Sequence, residues 1–434
     1  MMGNSSFIIV PHCSDMNRGD QALVWETKTV AEKAGYIGDF FIVGDASSQQ
    51  TIHEGIGVLD PVLKHPGRND KKSNLNYNMR LKIKWGLSAV YDMLKSQLLI
   101  VSGTCKFAKL FYSKREWDTV LKIKHCSAVF VKGGGFIHSY GKLTDSYTVY
   151  FNLFHIRLAL RFGKSVFVMP NSFGPFSGPL VKHMVQSTFR RCKYVCTRES
   201  ISREMLSKIG VKNHLIPDLG FSLCKSLVPG EFTNLQENIS TRKIVAITVR
   251  PYRYPTSSNI SEKQNQYILA ISDFAKYLYM SGYYPVFVEQ VIAKNPHAHE
   301  SDMRAILEIT SGLLEGEYAI LSNTSWSCRQ LKAIYASCYC VVGTRFHSVI
   351  FALSEGVRAL AISYGGNKGE GILKDIGLSE YCIPIEQLDF NRIKGAFEAL
   401  VSDSKYETTI RNYTENIETE YRTLIDAIKH TDSF

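Results

Sequence analysis

The sequence has no hydrophobic run that could cross a membrane, and its opening residues do not show the pattern of a secretory leader. No apolar stretch in its 434 residues approaches the roughly 18 that a spanning helix needs. The opening MMGNSSFIIVPHCSD has neither a basic region nor a small-residue cleavage site. With 45% hydrophobic and 21% charged residues, the composition is typical of a soluble globular protein. We therefore expect a cytoplasmic protein.

The chain also lacks the signatures of several ligand classes. No G-x-G-x-x-G follows a predicted strand, which disfavours an NAD-dependent reaction, and no RNP motif, zinc finger or helix-turn-helix pattern favours nucleic acid. The ten cysteines have no repeating spacing. The pairs Cys192/Cys196 and Cys338/Cys340 have spacings that zinc sites seldom use. The sequence therefore predicts reduced, buried thiols, with neither a metal nor another cofactor.

Positive charge, in contrast, is in excess. The chain has 51 Lys and Arg against 40 Asp and Glu, a formal charge of +11, which indicates an anionic partner such as a phosphorylated substrate, nucleic acid or an anionic membrane. Part of the excess lies in residues 65–84, HPGRNDKKSNLNYNMRLKIK. Such a segment is usually solvated surface, but it can also steer a protein to anionic lipid. Peripheral contact with the inner membrane surface is therefore one hypothesis.

Length and the succession of elements predict two α/β domains. A chain of 434 residues is too long for one ordinary core. Short apolar strands alternate with helical periods in two successive series, so we expect two doubly wound parallel-sheet domains facing a cleft. The predicted organisation is an N-terminal domain at 1–225, a linker at 226–243, a C-terminal domain at 244–385 and a helical segment at 386–434. Residues 98–101 are predicted to form a strand of the first domain.

One strand-to-helix junction in the second domain carries most of the chemistry. A short apolar run ends at Gly343 and helical spacing begins at Ser348, so Arg345 and His347 fall at the junction. Open α/β sheets bind ligands there, because the crevice lies outside the carboxyl ends of the strands. The next strand ends in a loop that contains Lys368. A guanidinium, an imidazole and an ammonium suit a site that holds a small anion and moves a proton.

Polar and glycine residues also follow the predicted strands of the first domain. Asn17 and Asp20 precede a helix predicted at about 21–34, for which Asp20 is the candidate N-cap, and the amides of that turn could hold an anion. Gly134, within Gly133-Gly134-Gly135, follows a buried strand and is close to His138. A glycine run allows a ligand to approach the backbone closely, although tight strand-helix packing also needs glycine.

In order along the chain, these motifs resemble those of one family, the polysaccharide pyruvyl transferases, with the colanic-acid pyruvyl transferases as similar members. The resemblance covers residues 7–380, and its most diagnostic element is Arg-x-His-Ser. The motifs that carry it are Asn17-x-Gly19-Asp20, Gly133-Gly134-Gly135, Ser172-x-Gly174-Pro175, Arg198-Glu199-Ser200, Asp218-x-Gly220-Phe221, Gly343-Thr344-Arg345-Phe346-His347-Ser348, and Tyr364 with Lys368.

The resemblance implies a GT-B-like fold and transfer of the enolpyruvyl unit of phosphoenolpyruvate to two hydroxyls of one sugar. A cyclic pyruvyl ketal forms and phosphate is released. The family's catalytic histidine corresponds to His347, and its donor-binding arginine to Arg345. Its lysine corresponds to Lys368, although the loop here is one residue longer than the commoner Tyr-x-x-Lys spacing. A second donor-binding arginine corresponds to Arg198 or Arg250, with Arg198 ahead because its motif match is cleaner.

The acceptor implied by the resemblance is a sugar of a cell-surface polysaccharide or a lipid-linked oligosaccharide. Candidates for the acceptor side or its loops are Asn17, Asp20, Gly134, His138 and Asp218, with capping and turn formation as their alternative roles. Two other functions stay open: a GT-B glycosyltransferase that uses a nucleotide sugar, and a non-catalytic carbohydrate-binding protein of the same fold. The acceptor glycan and the oligomeric state also stay open.

Overall fold

The structure of the protein, a computed structural model, describes residues 5–44, 49–63, 79–101, 103–239, 241–252, 254, 257, 259–293, 301–323, 325–365 and 368–431, without the side chains of residues 49, 82, 143 and 368. The chain forms two compact units, neither of them contiguous in sequence. The first comprises Met1–Asp15, Leu23–Asp218 and Tyr421–Phe434. The second comprises Met16–Ala22 and Leu219–Glu420.

The first unit is built on a parallel sheet. Its strands among the described residues are β1 (Ser6–Cys13), β2 (Asp39–Gly44), β3 (Ile56–Leu59), β4 (Ala128–Val131), β5 (Gly134–Tyr140), β6 (Ser165–Ser177), β7 (Tyr194–Thr197) and β8 (His214–Leu215). The spatial order is β3-β2-β1-β4-β6-β7-β8, with β5 paired to β6. Strand β4 is entirely buried and apolar, as expected for a parallel strand that is covered on both faces.

Helices cover this sheet, and polar caps fix where several of them begin. Ser113 and Glu116 form a reciprocal capping box at Lys114–His125, and the Glu199 carboxylate accepts from the backbone N–H of Ser202. The helices of the first unit are Gln49–His53, Met79–Ile100, Cys105–Ala108, Lys114–His125, Leu143–Arg161, Val181–Phe189 and Ser200–Lys208, with a 3-10 turn at Lys109–Phe111. The helix Arg18–Lys33 has its first turn in the second unit and the rest in the first.

The second unit repeats the doubly wound arrangement. Its strands in the described ranges are β9 (Lys243–Thr248), β10 (Tyr283–Val288), β11 (Ala319–Leu321), β12 (Cys340–Gly343), β13 (Arg358–Ser363) and β14 (Cys382–Pro384). All pairings are parallel, in the order β11-β10-β9-β12-β13-β14. The chain therefore proceeds outward from β9 in one direction and from β12 in the other. This topological switch point is where such sheets bind ligands.

The helices of the second unit are Gly230–Asn238, Ile260–Met280, Asp302–Thr310, Cys328–Ala336, Phe346–Leu353, Lys368–Ile376 and Phe390–Ser402, with 3-10 turns at Leu219–Phe221, Ser379–Tyr381 and Ile385–Gln387. The last helix, Tyr406–Thr431, belongs to the second unit up to Glu420 and to the first unit beyond it.

The predicted fold class, two parallel α/β domains, is confirmed, whereas the strand predicted at 98–101 is wrong. That apolar run forms the end of the helix Met79–Ile100, after more than five helical turns, and is not a sheet strand. The segment predicted as a linker, 226–243, contains the helix Gly230–Asn238 and lies inside the second unit. The predicted helical segment from 386 contains the last two long helices.

All ten cysteines are free thiols, and six of them are buried, while Cys224 is exposed. In the parts of the chain that the structure describes, no three His, Cys, Asp or Glu side chains converge in a way that could hold a metal ion. Within the same ranges, no helix has both the length and the apolar character needed to cross a bilayer.

Candidate active site

Two arginines flank the switch point of the second sheet. Strands β9 and β12 are neighbours, with Thr248 opposite Gly343 at their carboxyl ends. Arg250 follows the first of these strand ends by two residues and Arg345 follows the second by two residues. Both arginines therefore lie at the same edge of one sheet.

A hydrogen-bond network holds the turn that carries Arg345. The Thr248 and Ser348 hydroxyls are 2.8 Å apart, and the Ser348 hydroxyl donates to the Arg345 carbonyl at 2.7 Å. The Thr344 backbone N–H donates to the Thr248 carbonyl at 2.9 Å. A Cβ atom at Gly343 would lie 2.5 Å from Oγ of Ser348. The sequence G-T-R-F-H-S is thus fitted to a tight turn between β12 and the helix Phe346–Leu353.

The side chain of Arg345 is oriented by Asp302. Nε of Arg345 donates to Oδ1 of Asp302 at 2.8 Å, and Nη2 donates to the same oxygen. Asp302 is fully buried and also accepts the backbone N–H groups of Gln290 and Val291 at 3.2 and 2.8 Å. Burial raises the pKa of Asp302, and Arg345 and these two N–H groups oppose that rise. This one carboxylate therefore fixes both the guanidinium and the loop after β10.

The imidazole of His347 lies in the first turn of the helix Phe346–Leu353 and is 5% exposed. Its ring is 6.2 Å from the Phe351 ring, centroid to centroid. On another side it lies directly against Gly19, where an added Cβ would be 2.3 Å from Nδ1. Only a residue without a side chain fits at position 19 while the ring keeps this place.

The Asn17-x-Gly19-Asp20 motif lies in the second unit, with His347. Asn17 forms a β-bridge with Val291, and its side-chain oxygen accepts the backbone N–H of Gly19 at 3.0 Å. Its amide donates to the Asp20 carboxylate at 2.9 Å. The helix begins at Arg18 rather than at residue 21. The N-cap prediction for Asp20 is therefore corrected: Asn17 occupies that position and Asp20 lies in the first turn, because the Asn17 amide group satisfies the terminal N–H.

Arg250 borders a cavity of about 410 Å³ within the second unit. Its guanidinium carbon lies 4.1 Å from the centroid of the Tyr364 ring, a cation-π contact that holds the group flat. Tyr267 also borders the cavity, and its hydroxyl connects the Arg250 backbone N–H at 3.4 Å with the Thr344 hydroxyl at 3.1 Å. Lys368 begins the helix Lys368–Ile376, but its side chain lies outside the described part of the chain.

Arg198 and Asp218 lie in the first unit and form a buried ion pair with each other. Both side chains have no exposed surface, and Nε of Arg198 donates to the Ser172 hydroxyl at 2.8 Å. The Tyr421 hydroxyl donates to the Asp218 carbonyl. These contacts tie strand ends and the last helix together within this unit. They match the alternative reading of Asp218 as a structural residue.

The glycine run after β4 is explained by close packing in the first unit. A Cβ at Gly133 would lie 2.9 Å from the Pro170 carbonyl oxygen, and one at Gly134 would lie 2.8 Å from the Phe136 ring. Gly134 also has a φ of +152°. His138 is exposed on β5 and makes an edge contact with the Tyr140 ring, whose centroid is 5.6 Å away.

Three residues of this site were not predicted from the sequence: Asp302, Tyr267 and Thr248. An acidic residue after Ser301, at the start of a helix, is typical of a capped terminus, so its sequence context gives no sign of a long-range partner. Tyr267 occupies a helical position that periodicity assigns to the core. Thr248 is the last residue of β9, beside β12, and this position at a strand end was the available signal.

The fold and site together define a class: a two-sheet α/β protein of the GT-B type with a cationic, histidine-containing turn at the switch point of its second sheet. The sequence model of the polysaccharide pyruvyl transferase family matches residues 17–366. The chain belongs to this family of transferases of polysaccharide biosynthesis, which confirms the resemblance noted in the sequence. The amylovoran biosynthesis protein AmsJ of Erwinia amylovora is 27% identical over an alignment of 325 residues, which covers 73% of this chain and 74% of AmsJ.

Solved structures with the same architecture include MnaA of Staphylococcus aureus in complex with UDP. It matches with a TM-score of 0.61 at 10% identity, over 98% of this chain and 96% of that one. A putative UDP-N-acetylglucosamine 2-epimerase from Listeria monocytogenes matches with a TM-score of 0.59 at 12% identity, over 100% and 98% of the two chains. At such identities the likeness concerns the fold.

Proposed function

We propose that this protein transfers the enolpyruvyl group of phosphoenolpyruvate to two hydroxyls of one sugar, forming a cyclic pyruvyl ketal and releasing phosphate. The acceptor is a sugar of a cell-surface polysaccharide or of its lipid-linked precursor. The main observation in support is that one turn, at the switch point of the second sheet, bears both Arg345 and His347 in a chain of the pyruvyl transferase family.

Donor binding requires fixed cations, because phosphoenolpyruvate carries a carboxylate and a phosphate. Arg345 suits this role because Asp302 orients its guanidinium before any ligand arrives, and a pre-oriented planar group loses less entropy on binding an anion. Each charge-assisted hydrogen bond contributes roughly 1.5 to 3 kcal/mol. Lys368 begins the helix after the neighbouring strand β13, and we assign it to the phosphate.

For the second donor-binding arginine we rank Arg250 ahead of Arg198, reversing the order suggested by the motif match. Arg250 follows the strand next to β12, borders a cavity and is held against Tyr364. Arg198 is in the first unit, where two of its nitrogens already bind Ser172 and Asp218. The Arg198 side chain also has no exposed surface, whereas that of Arg345 is 11% exposed, so we assign Arg198 to holding its own unit together.

The proposed reaction begins when His347 protonates the methylene carbon of phosphoenolpyruvate, giving an oxocarbenium-like centre that the first sugar hydroxyl attacks. Phosphate then leaves with one proton, and the second hydroxyl attacks the same carbon to close the ketal. One of the two hydroxyl protons returns to His347 and replaces the proton that entered the new methyl group. The other leaves with phosphate. The balance needs no oxidant and no water. A histidine in this role supplies about a hundred- to ten-thousandfold in rate.

Asn17 and Asp20 are assigned to positioning rather than to the acceptor. Their side chains bind each other and cap the turn that places Gly19 against His347. His138 and Gly134 stay acceptor-side candidates of the first unit, where His138 presents an exposed ring.

The test is incubation of the protein with labelled phosphoenolpyruvate and a panel of nitrophenyl and lipid-diphosphate sugars. We expect phosphate release together with a mass gain of one pyruvyl ketal on a single acceptor. Phosphoenolpyruvate should also raise the melting temperature, whereas UDP- and GDP-sugars should not, because binding to the native state alone stabilises a protein. Stabilisation by a nucleotide sugar alone would support a glycosyltransferase instead.

His347→Ala should retain the melting-temperature increase with phosphoenolpyruvate and lose turnover by about a hundred- to ten-thousandfold. The matched control is His183→Ala, at an exposed position of the helix Val181–Phe189 in the first unit, which should leave both measurements unchanged. Full turnover in His347→Ala would refute the assigned role of this histidine.

A further inference from the structure

The helix Met79–Ile100 presents an apolar stripe to solvent. At about 100° per residue, its six large hydrophobic side chains that are 54% to 70% exposed fall within about 120° of the circumference. These side chains are Met79, Ile83, Leu87, Val90, Tyr91 and Leu94. A helix on the surface of a soluble protein normally turns such a stripe toward the core, so the orientation here is inverted.

The opposite face of the same helix packs against the rest of the first unit, and this face is largely polar. Asp92, Lys95 and Ser96 are buried together with Leu99. Asp92 and Lys95 form an ion pair at 3.2 Å, and the Ser96 and Tyr150 hydroxyls are in hydrogen-bond contact. The Ser96–Tyr150 contact joins this face to the helix Leu143–Arg161, so it holds the polar side inward and leaves the apolar stripe facing outward.

The apolar surface continues into the next short elements. Phe107, Leu110 and Phe111 are exposed in the turns that follow the helix, interleaved with exposed Lys106 and Lys109. An apolar surface of this extent, outside a core, marks an interaction site. We call the exposed apolar and basic side chains of residues 79–94 and 106–111 the 79–111 face.

The charges of this segment indicate which partner covers it. Residues 79–111 contain six Lys or Arg and one acid, and that acid, Asp92, is buried and paired with Lys95. Arg80 and Lys84 are exposed near the edge of the apolar stripe. A second copy of the chain, paired through the same face by two-fold symmetry, would bring these like charges together. Apolar side chains bordered by cations fit an anionic bilayer surface instead.

We propose that the 79–111 face docks the protein on an anionic membrane surface, with the helix Met79–Ile100 in the plane of the lipid headgroups. The apolar stripe enters the acyl boundary and the bordering cations bind lipid phosphates. This mode of binding needs no spanning segment, and it does not depend on the reaction proposed above, because it can be measured without donor or acceptor.

The test is co-sedimentation of the full chain with vesicles of phosphatidylcholine alone and of phosphatidylcholine mixed with phosphatidylglycerol. We expect binding to the mixed vesicles only, weakening steeply as salt is added. Leu87→Glu combined with Leu94→Glu should lower the partition coefficient at least about tenfold, because two charges replace the apolar anchor. Met280→Glu, at an 86% exposed apolar position in the second unit, is the control and should bind like the unchanged protein.

A direct insertion readout complements the loss-of-binding variants. Trp fluorescence of Leu87→Trp should shift to the blue on the mixed vesicles and be quenched by brominated lipid, whereas that of Met280→Trp should not. Lys106→Glu with Lys109→Glu should weaken binding to the mixed vesicles, and Lys405→Glu, exposed in the second unit, should not. If the Leu87→Glu/Leu94→Glu variant still binds the mixed vesicles, the proposal is wrong. It is also wrong if the unchanged protein binds no vesicles but forms a concentration-dependent dimer that this variant does not form.

Discussion

Gly19→Ala is a small change that tests whether His347 must be held in its observed position. Gly19 is the second residue of the helix Arg18–Lys33. A Cβ there would lie 2.3 Å from Nδ1, 2.6 Å from Cγ and 2.9 Å from Cβ of His347, whereas ordinary contacts begin at 3.4 Å. Either the imidazole or the helix start must therefore move by about 1 Å.

The helix start is the less yielding of the two. The Gly19 N–H donates to Asn17 at 3.0 Å and the Arg18 N–H to the Gln290 carbonyl at 3.3 Å. We therefore expect the ring of His347 to be displaced. A misplacement of about 1 Å in a catalytic group costs about a hundredfold in rate, so kcat should fall by about that factor. The KM for phosphoenolpyruvate should change little, since Arg345 is not displaced.

The assay is steady-state phosphate release with the acceptor found above, together with urea unfolding and the NMR signals of the imidazole ring. Alanine elsewhere in a helix stabilises by about 0.5–1 kcal/mol relative to glycine. The control Gly395→Ala, where an added Cβ meets nothing within 4 Å, should show that gain at unchanged kcat. If Gly19→Ala behaves like Gly395→Ala, then position 19 does not restrain a catalytic ring and the reasoning fails.

Three further predictions concern other groups. Asp302→Ala should reduce the free energy of unfolding in urea by about 3–5 kcal/mol, because it leaves the Arg345 guanidinium without its carboxylate, and Asp302→Asn, which keeps an acceptor, should lose less. Arg250→Lys should raise the KM for phosphoenolpyruvate about tenfold or more in the phosphate-release assay, because an ammonium cannot form a bidentate contact or stack on Tyr364 in the same way; an unchanged KM would return Arg198 to first place. Burial lowers the pKa of His155 from 6.5 to about 3, so below pH 6.5 the unfolded state binds a proton that the native state does not bind. The free energy of unfolding should therefore fall by about 2 kcal/mol by pH 5. In urea unfolding, His155→Leu should remove that part of the pH dependence.

The strands that could be predicted from the sequence are those buried on both faces of a sheet. Runs such as those of β4 and β12 are short, apolar and bounded by glycine or polar turns, and parallel burial needs that composition. Strand β5 was missed because Gly134–Tyr140 begins with two glycines and is neither a continuous apolar run nor a regular alternation. It pairs, with register shifts, with the second half of the long strand β6. The apolar run at 98–101 was misassigned because a short run cannot distinguish a strand from the end of a helix.

For the candidate site, too, local sequence pattern identified some residues and missed others. Arg345 and His347 were identified because parallel strands end at one edge of their sheet, and that rule needs only the strand positions, whereas Arg250 was a candidate through the family resemblance. The partner of Arg345 was missed because Asp302 gives the local signal of an ordinary helix terminus. The contact between Gly19 and His347 joins residues more than 300 positions apart, which no periodicity can report.

This contact explains why the second unit includes a piece of the chain's beginning. Besides placing Gly19 on His347, the segment Met16–Ala22 sends buried Gln21 to accept the N–H of Cys328 at 2.7 Å, completing the start of another helix of that unit. A fragment limited to residues 219–420 would keep the sheet, Arg345 and Asp302, but would lose one wall around the imidazole. The proposed general acid, His347, therefore depends on the segment Met16–Ala22, which a cut at a conventional domain boundary would leave in the other domain. For that reason we do not expect a separate C-terminal domain to be active.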